Sequence, residues 1–236
     1  MRKMSKVMVA TALAAVTLPN TALAQNEFTV NGNVDFVSDY VWRGAYQGSG
    51  VSVQPSLTLG YAGLKLNAWG SQSLTKDAKE FDINLSYSIK NLTLTVSDYW
   101  WSGADQPYGH YKSQHFFEAS AAYIISEKFP LALSWSTMFA GGDKDENGDL
   151  QASTYISAAY PFNLPLDITL TPAIGFTPWE GMYHDKAGVT DVSLKASKAI
   201  KVTEHFSIPV FVQAIASPIY DRTYILGGFS LGFKHL

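Results

Sequence analysis

The chain has 236 residues and no cysteine, and 16% of its residues are charged while 47% are hydrophobic. That charged fraction is low against the ~25% of an ordinary soluble domain. Without residues 1–24, which hold three of the 17 Lys and Arg and none of the 20 Asp and Glu, the net charge moves from −3 to −6. Such a chain lacks the basic face of a nucleic-acid-binding protein, and the missing cysteine excludes disulfide frameworks and thiolate metal sites.

The N-terminal segment has the three parts of an export signal. Three basic residues precede an apolar run over residues 7–18, and the tripeptide Ala-Leu-Ala at 22–24 is a small-x-small cleavage sequence. The apolar run is shorter than the ~20 residues of a membrane-spanning helix. The sequence therefore predicts a signal peptide over 1–24, cleaved near Ala24, and one mature domain over 25–236.

Most of the mature chain alternates between apolar and polar residues with a period of two. In residues 51–61, for example, Val53, Leu57 and Leu59 alternate with glutamine, serine and threonine. This period is typical of β-strands, and no convincing amphipathic helix follows the signal. The pattern predicts twelve strands, over 28–43, 50–61, 64–72, 80–89, 92–101, 115–125, 131–140, 151–160, 166–176, 189–200, 207–216 and 223–234.

The connections between the predicted strands alternate in length. Long polar segments follow odd-numbered strands, as at 102–114, 141–150 and 177–188, whereas tight turns at 62–63 and 90–91 follow even-numbered strands. Short links join antiparallel neighbours, and an even-stranded meander with long loops at one end only is the plan of an outer-membrane barrel. The predicted fold class is therefore all-β, a transmembrane up-and-down antiparallel β-barrel of about twelve strands in the outer membrane.

Aromatic residues at the strand ends favour this barrel over a soluble β-sandwich, whose strands alternate in the same way. Many strands also reach the ~9–11 residues that cross a bilayer at a tilt. Tyrosines close even strands before tight turns and tryptophans stand at the opposite ends, as expected for belts at two lipid–water interfaces. The predicted belts comprise Trp42, Tyr61, Tyr87, Trp100, Tyr123, Tyr160 and Trp179, with Tyr99, Trp101 and Tyr183 at the loop end.

The segment 38–44, which reads SDYVWRG, resembles the first-strand motif of the TorF-type porin family. Two shorter stretches, 153–155 and 192–197, are similar to versions of that family found in Bacteroides-type bacteria. The resemblance covers most of the mature chain. It implies an outer-membrane β-barrel of twelve strands whose transported solute is generally unassigned.

The polar rows of the predicted barrel contain more acids than bases. Asp39 and Arg43 lie four apart in one predicted strand, so both would face the lumen and form a charge pair near the outer mouth. The pair either selects solutes by charge or fixes the register of the first strand. We expect a porin for passive diffusion of small solutes, with a polar, mildly acidic lumen that favours cations. The predicted lumen-facing charged residues are Asp35, Asp39, Arg43, Lys65, Asp82, Glu118, Asp167, Asp191 and Lys195.

Two other functions remain open for the same barrel. Twelve strands lie between eight, which side chains fill, and sixteen, which leave a channel, so a non-conducting structural or surface-binding barrel is one alternative. The other is an outer-membrane hydrolase, for which Ser113, His115 and Glu118 lie close in sequence. Glu118 has the opposite parity and would face the other side of the strand, so no ready triad forms. We expect no catalytic residues and no cofactor.

The acidic loop at 143–149 imitates the start of a calcium-binding loop, with Gly148 at the sixth position. The twelfth position, which should be a bidentate Glu, is Thr154. A solvated hairpin loop is the preferred interpretation, although weak surface calcium binding stays open, and we expect no metal site.

The expected partners are outer-membrane lipid, small solutes and the barrel assembly machinery, with no nucleic acid and an open oligomeric state. A last alternating row, which ends at Phe233, resembles the closing strand of outer-membrane proteins. Those strands usually finish on an aromatic residue, whereas Lys, His and Leu follow Phe233 here.

Overall fold

The computed structural model describes residues 27–48, 50–102, 107–204 and 206–235, so the predicted signal peptide and its cleavage site lie outside the described residues. In the described part, fifteen β-strands and two 3-10 turns form the fold. The strands are β1 (Thr29–Val37), β2 (Tyr40–Trp42), β3 (Ala45–Gly48), β4 (Ser52–Tyr61), β5 (Leu64–Ser73), β6 (Lys79–Ile89), β7 (Leu92–Ser102), β8 (His115–Ile124), β9 (Ala132–Gly141), β10 (Thr154–Ala159), β11 (Phe162–Leu164), β12 (Ile168–Thr177), β13 (Gly188–Lys201), β14 (Ser207–Ser217) and β15 (Arg222–His235), and the 3-10 turns are Pro165–Asp167 and Pro218–Tyr220.

Twelve of the strands close into an antiparallel barrel. Strands β4 to β10 pair in chain order, as do β12 to β15, while β1 pairs with both β4 and β15 and β10 pairs with β12. The short strand β11 continues β10 along the same edge of β12. Closure satisfies the backbone groups that an open sheet would leave unpaired at its edges. The predicted twelve-stranded up-and-down barrel is confirmed.

The two faces of the barrel wall have opposite polarity. On β6, for example, Leu85 on the outward face is 48% exposed, whereas Asp82 on the inward face is 6% exposed. An apolar band that surrounds a closed barrel is the surface that acyl chains cover in a membrane. The exposed outward residues include Leu57, Leu66, Leu94, Val96, Leu133, Trp135, Ile174, Val192, Leu194, Val212, Phe229 and Leu231.

Within the described residues, no α-helix has the length and the apolar character of a membrane-crossing segment. The tight turns at 62–63 and 90–91 lie at one end of the barrel, which we call the short-turn end. The loops at 142–153 and 178–187 lie at the other, the long-loop end. Strand β1 starts and β15 finishes at the short-turn end, because the two strands pair antiparallel from Val30 opposite His235.

The first predicted strand, 28–43, is too long. Strand β1 ends at Val37, and residues 40–48 form a separate hairpin of β2 and β3. Its two-residue turn consists of Arg43 and Gly44, with φ values of 50° and 81°. Positive φ at both central residues is the turn geometry whose twist matches that of paired strands. The sequence predicted that Asp39 and Arg43 share one face of a strand. The hairpin separates them, so this prediction is wrong.

The predicted strand over 166–176 starts two residues too early. Residues Pro165–Asp167 form a 3-10 turn in which Leu166 and Asp167 have φ values of 64° and 56°. The fixed φ and missing N–H of Pro165 interrupt the ladder at this point. Asp167 is exposed in this turn and lies outside the strands, so strand parity no longer predicts a lumen-facing position for it.

The predicted aromatic belts divide between the outside and the inside of the barrel. Tyr61, Tyr87 and Tyr123 are about half exposed on the outward face of their strands near the short-turn end, and Trp179 is 41% exposed at the opposite end. Trp100 and Tyr160 are half-buried. Trp42, in contrast, is buried inside the barrel, because the hairpin that carries it folds inward. Tyr99 and Trp101 have inward parity on β7, and Tyr183 is buried. These three residues therefore do not belong to the outer belt.

Candidate functional site

The hairpin of β2 and β3 carries Arg43 at its tip into the barrel, where the residue is 7% exposed. The guanidinium donates two hydrogen bonds to Glu118 of β8, from Nη1 to Oε2 at 2.5 Å and from Nη2 to Oε1 at 2.9 Å. Nη1 also donates to the hydroxyl of Tyr183. Two parallel bonds between a guanidinium and a carboxylate form the strongest kind of ion-pair geometry. This clamp joins the hairpin to the barrel wall.

Aromatic rings enclose the guanidinium. Its Cζ lies 4.4 Å from the ring centre of Trp42, 4.7 Å from that of Tyr155 and 5.6 Å from that of Tyr183. Such cation–π contacts gain strength where water is excluded. Burial by itself would lower the pKa of Arg43, but the charge of Glu118 raises that pKa above its ordinary value. The guanidinium therefore stays charged.

Glu118 has hydrogen-bond donors on its other side as well. The hydroxyl of Tyr99 donates to Oε1 at 3.1 Å, and the hydroxyl of Ser120 donates to the same atom at 2.9 Å. With the two bonds from Arg43, the carboxylate is fully engaged. A buried carboxylate that accepts several charge-assisted bonds is held in its ionised form and in one position.

The opposite side of the hairpin tip rests on β13 and β14. A Cβ atom on Gly44 would overlap the carbonyl oxygen of Thr190 and the hydroxyl of Ser217, which are themselves hydrogen-bonded at 2.6 Å. Glycine is thus required at this position both by the positive φ and by the close approach. The hairpin tip spans the interior from β8 to the wall formed by β13 and β14.

Two β-bulges lie beside this contact. The pairing of β8 with β9 shifts next to Glu118, and the pairing of β12 with β13 shifts next to Gly175, which lies opposite Asp191. A bulge adds one residue to a strand and re-aims the side chains around it. Asp191 accepts a hydrogen bond from the hydroxyl of Tyr155 at 3.1 Å. Both bulges therefore adjoin acids that surround the guanidinium.

A second group of charged side chains is bonded less completely than Glu118. Glu80 and Asp82 lie on the inward face of β6, and each is 6% exposed. Among the described residues, Glu80 Oε2, Asp82 Oδ1 and Lys195 Nζ have no hydrogen-bond partner. The Lys195 ammonium lies over the ring of Phe211, 4.0 Å from its centre. Glu80 is absent from the sequence-based prediction, although it shares the parity of Asp82 and the alternation would have found it.

A cavity of about 160 Å³ opens between the hairpin and the long-loop ends of β4, β5 and β6. We call it the hairpin cavity. It brings together residues from six strands, β2 to β7. Its lining includes Tyr40 and Gln47 of the hairpin, Ser52, Ser71 and Ser73 of β4 and β5, Glu80 of β6 and Trp101 of β7.

The interior towards the short-turn end is lined by small polar side chains instead. The hydroxyls of Ser134 and Ser157 lie 2.6 Å apart, and Asn84 donates to Asn67 at 3.2 Å. These side chains bond mostly to neighbours on the next strand. Among the described residues, the buried aromatic cluster and the hairpin lie in the half of the interior at the long-loop end.

Asp39 does not pair with Arg43, which contradicts the predicted charge pair. Its carboxylate accepts hydrogen bonds from the backbone N–H of Gly50 at 2.8 Å and from the hydroxyl of Tyr46 at 3.0 Å. These bonds hold the base of the hairpin. Of the other predicted charged residues, the inward rows hold Asp35, Lys65, Asp82, Glu118, Asp191 and Lys195, all buried except the half-buried Lys65.

The three residues considered for the hydrolase alternative do not form a triad. His115 is buried on the outward face of β8, where Nδ1 lies 2.6 Å from Asp98 Oδ1 and Nε2 lies 2.5 Å from the carbonyl oxygen of Tyr108. Both ring nitrogens are engaged, and Glu118 faces the interior, so no nucleophile and base are aligned as a triad requires. The contact with His115 also accounts for Asp98, an acid within an apolar row.

Two carboxylates of the acidic loop accept hydrogen bonds from residues close to them in the chain. Asp143 is buried and accepts from the backbone N–H and the hydroxyl of Ser153, at 2.9 and 2.5 Å. Asp145 accepts from the backbone N–H of Asp149 and of Asn147, and these bonds lower its pKa below the ordinary value. In the part of the chain that the structure describes, no three metal-ligating side chains gather closely enough to hold an ion.

A sequence profile matches residues 21–220, which is most of the chain, and its family is described as "Bacterial protein of unknown function (Gcw_chp)". The chain belongs to the Gcw_chp family. No curated protein has a sequence that matches this Gcw_chp chain significantly.

Several solved outer-membrane proteins are similar to the Gcw_chp barrel. The COG4313 outer membrane channel from Pseudomonas putida F1 superposes with a TM-score of 0.50 and 12% identity, over 92% of this chain and 99% of that one. CdiB from Acinetobacter baumannii gives 0.44 and 11%, over 89% and 60% of the two chains, and a Rhodopseudomonas blastica porin variant gives 0.36 and 14%, over 88% and 100%. Identities this low bear on the fold alone, and of the three TM-scores only the first reaches 0.50. That comparison gives the Gcw_chp protein the fold of an outer-membrane β-barrel.

Proposed function

We propose that the protein is an outer-membrane channel through which small polar solutes diffuse passively, with a preference for cations. The observation that carries this proposal is a closed barrel with charged groups in its interior, where Glu80 Oε2, Asp82 Oδ1 and Lys195 Nζ make no hydrogen bond with the described residues. An unpaired charge in a dry protein interior costs several kcal/mol. These groups therefore need water or a solute beside them, as in a wet lumen.

The apolar outer band and the resemblance to TorF-type porins support the same proposal. In this view the narrowest part of the channel lies beside the hairpin tip, which itself spans the interior from Glu118 to the wall at Thr190. The acids Glu80 and Asp82 then border the path with no base bonded to them. Fixed acids along a narrow path raise the local concentration of cations and favour their passage.

The proposal includes the route by which the protein reaches the membrane. We expect the segment 1–24 to be removed on export, and the barrel assembly machinery to insert the remaining chain with both termini on the periplasmic side. Intact-mass measurement of the protein from outer membranes checks the cleavage near Ala24. A mass that retains the segment would contradict this part of the proposal.

A non-conducting barrel is the second candidate, and the hairpin is the observation that favours it. The clamp between Arg43 and Glu118 is tight, and aromatic side chains crowd around it. The buried cluster at this level consists of Trp42, Tyr99, Met138, Tyr155 and Tyr183. Such a barrel would serve as a structural element or a binding platform.

Planar bilayers and liposome swelling separate the two candidates. We expect the purified wild-type protein to give stepwise currents, a reversal potential that favours K⁺ over Cl⁻, and entry of small sugars into vesicles. Arg43→Met removes the charge that holds the hairpin and serves as a matched open form. Silence of the wild type with currents from Arg43→Met would indicate a plugged barrel, and silence of both would contradict the channel.

A further inference from the structure

The hairpin cavity combines a buried acid with two aromatic side chains. Glu80 is 6% exposed, and its carboxylate interacts with the polar groups of Tyr40 and Trp101, while its Oε2 makes no hydrogen bond of normal geometry in the described part of the chain. Tyr40 and Trp101 line the same cavity. We propose that this cavity binds a small organic cation, with its ammonium group against Glu80 and its apolar groups against the two rings. The inference rests on the proposed function, because the ligand would be a solute that the channel admits.

The charges around the cavity leave Glu80 without a base. Arg43, a buried cation of the same hairpin, is bonded to Glu118. Lys79 borders the cavity, but its ammonium lies 3.2 Å from Asp77 at the exposed rim. Asp82 lies two residues along the same face of β6, about 7 Å away by strand geometry. A bound cation would therefore offset two neighbouring acids.

The two rings are held in place before a ligand arrives. Trp101 packs against Trp42 and Phe116, with ring centres 5.6 and 5.0 Å apart, and Tyr40 packs against Trp69 at 5.7 Å. The face of an aromatic ring attracts a cation within about 6 Å of its centre. Because these rings lose little freedom on binding, more of the contact energy appears as affinity.

The polar groups of the cavity suit a cation better than a sugar. The hydroxyl of Ser71 already accepts from Gln54 at 3.2 Å, and that of Ser73 accepts from the backbone N–H of Thr75 and Lys76. The hydroxyls of a sugar would have to displace these bonds before they could bond to the two serines. The volume also selects a small ligand, because a cavity of roughly 150 Å³ holds a molecule the size of benzene.

Choline is the probe, and its uncharged isostere 3,3-dimethylbutan-1-ol is the matched control ligand. Titration calorimetry uses the full mature protein in detergent, so that binding is measured without any current. We expect choline to bind the wild type and Glu80→Gln to weaken binding roughly tenfold or more, which corresponds to about 1.4 kcal/mol. Glu146→Gln, which removes an exposed acid from the acidic loop, should leave the affinity unchanged.

Several outcomes would overturn the inference. These are no heat with choline, equal binding of the uncharged isostere, unchanged affinity in Glu80→Gln, or binding of glucose instead of choline. Circular dichroism of each variant shows whether the barrel has folded. Currents without choline binding would support the channel and contradict the cation site. Choline binding without currents would keep the site and contradict the channel.

Discussion

Glu118 and Glu80 are both buried glutamates on inward faces, two strands apart in the barrel, yet their surroundings differ. Glu118 accepts hydrogen bonds from Arg43, Tyr99 and Ser120. Glu80 has one oxygen with no partner among the described residues and borders a cavity. A fully engaged carboxylate holds structure together, whereas one with an unbonded oxygen can still accept a bond from a ligand.

The difference arises from the hairpin and not from the barrel strands. Both glutamates are placed inward by the alternation of β6 and β8. The hairpin brings its only arginine to the β8 side, against Glu118, and leaves the cavity on the side of β4 to β6. One short insertion after β1 thus gives two similar acids different roles.

The largest effect is expected for Arg43→Met, which removes the base and leaves Glu118 buried and unpaired. Loss of one partner of a buried ion pair costs about 3–5 kcal/mol. We expect this loss in the free energy of unfolding, measured by urea titration in vesicles, together with higher conductance. Arg222→Met, at an exposed position of β15, is the matched control. An unchanged stability would mean that the clamp does not hold the hairpin.

A double variant tests whether Arg43 and Glu118 act as a pair. Arg43→Met combined with Glu118→Gln leaves no unpaired charge, so it should be less destabilised than the sum of the two single variants. We expect a coupling energy of about 2–3 kcal/mol from the same urea titrations. Additive effects would show that the two side chains contribute independently.

Tyr183→Phe removes one hydrogen bond to the Arg43 guanidinium and keeps the ring. Bonds to charged groups contribute about 1.5–3 kcal/mol, so the loss should fall in that range. Tyr87→Phe, on the exposed outward face, provides the control and should change little. If both variants unfold at the same urea concentration as the wild type, the hydroxyl of Tyr183 does not support the clamp.

The smallest effect on stability is expected for Glu80→Gln. Glutamine keeps the shape of this side chain and an oxygen that Tyr40 and Trp101 can contact, so the free energy of unfolding should change by no more than about 1 kcal/mol. The preference for K⁺ over Cl⁻ should nevertheless fall, because one acid is removed from the path. A loss as large as that of Arg43→Met would mean that Glu80 is structural, and the contrast with Glu118 would fail.

The sequence predicted the barrel wall closely and the hairpin not at all. Ten-residue alternation identified strands such as β4 and β7 to within two residues, because side-chain parity is a local property. The motif at 38–44 continues that alternation, so the pattern places it in the first strand. The Arg43-Gly44 step is the signal that was missed, since glycine beside a strand end often marks a two-residue turn.

The amino-acid sequence by itself determined the closed barrel, its polarity and the inward position of acids such as Asp82 and Glu118. Only the tertiary structure decided which acid is neutralised, because Arg43 and Glu118 are distant in the chain and meet through barrel closure. The same holds for Trp42, whose alternation predicts an outer belt but whose hairpin folds inward. Local patterns report the face of a strand, whereas contacts across the interior depend on the path of the whole chain.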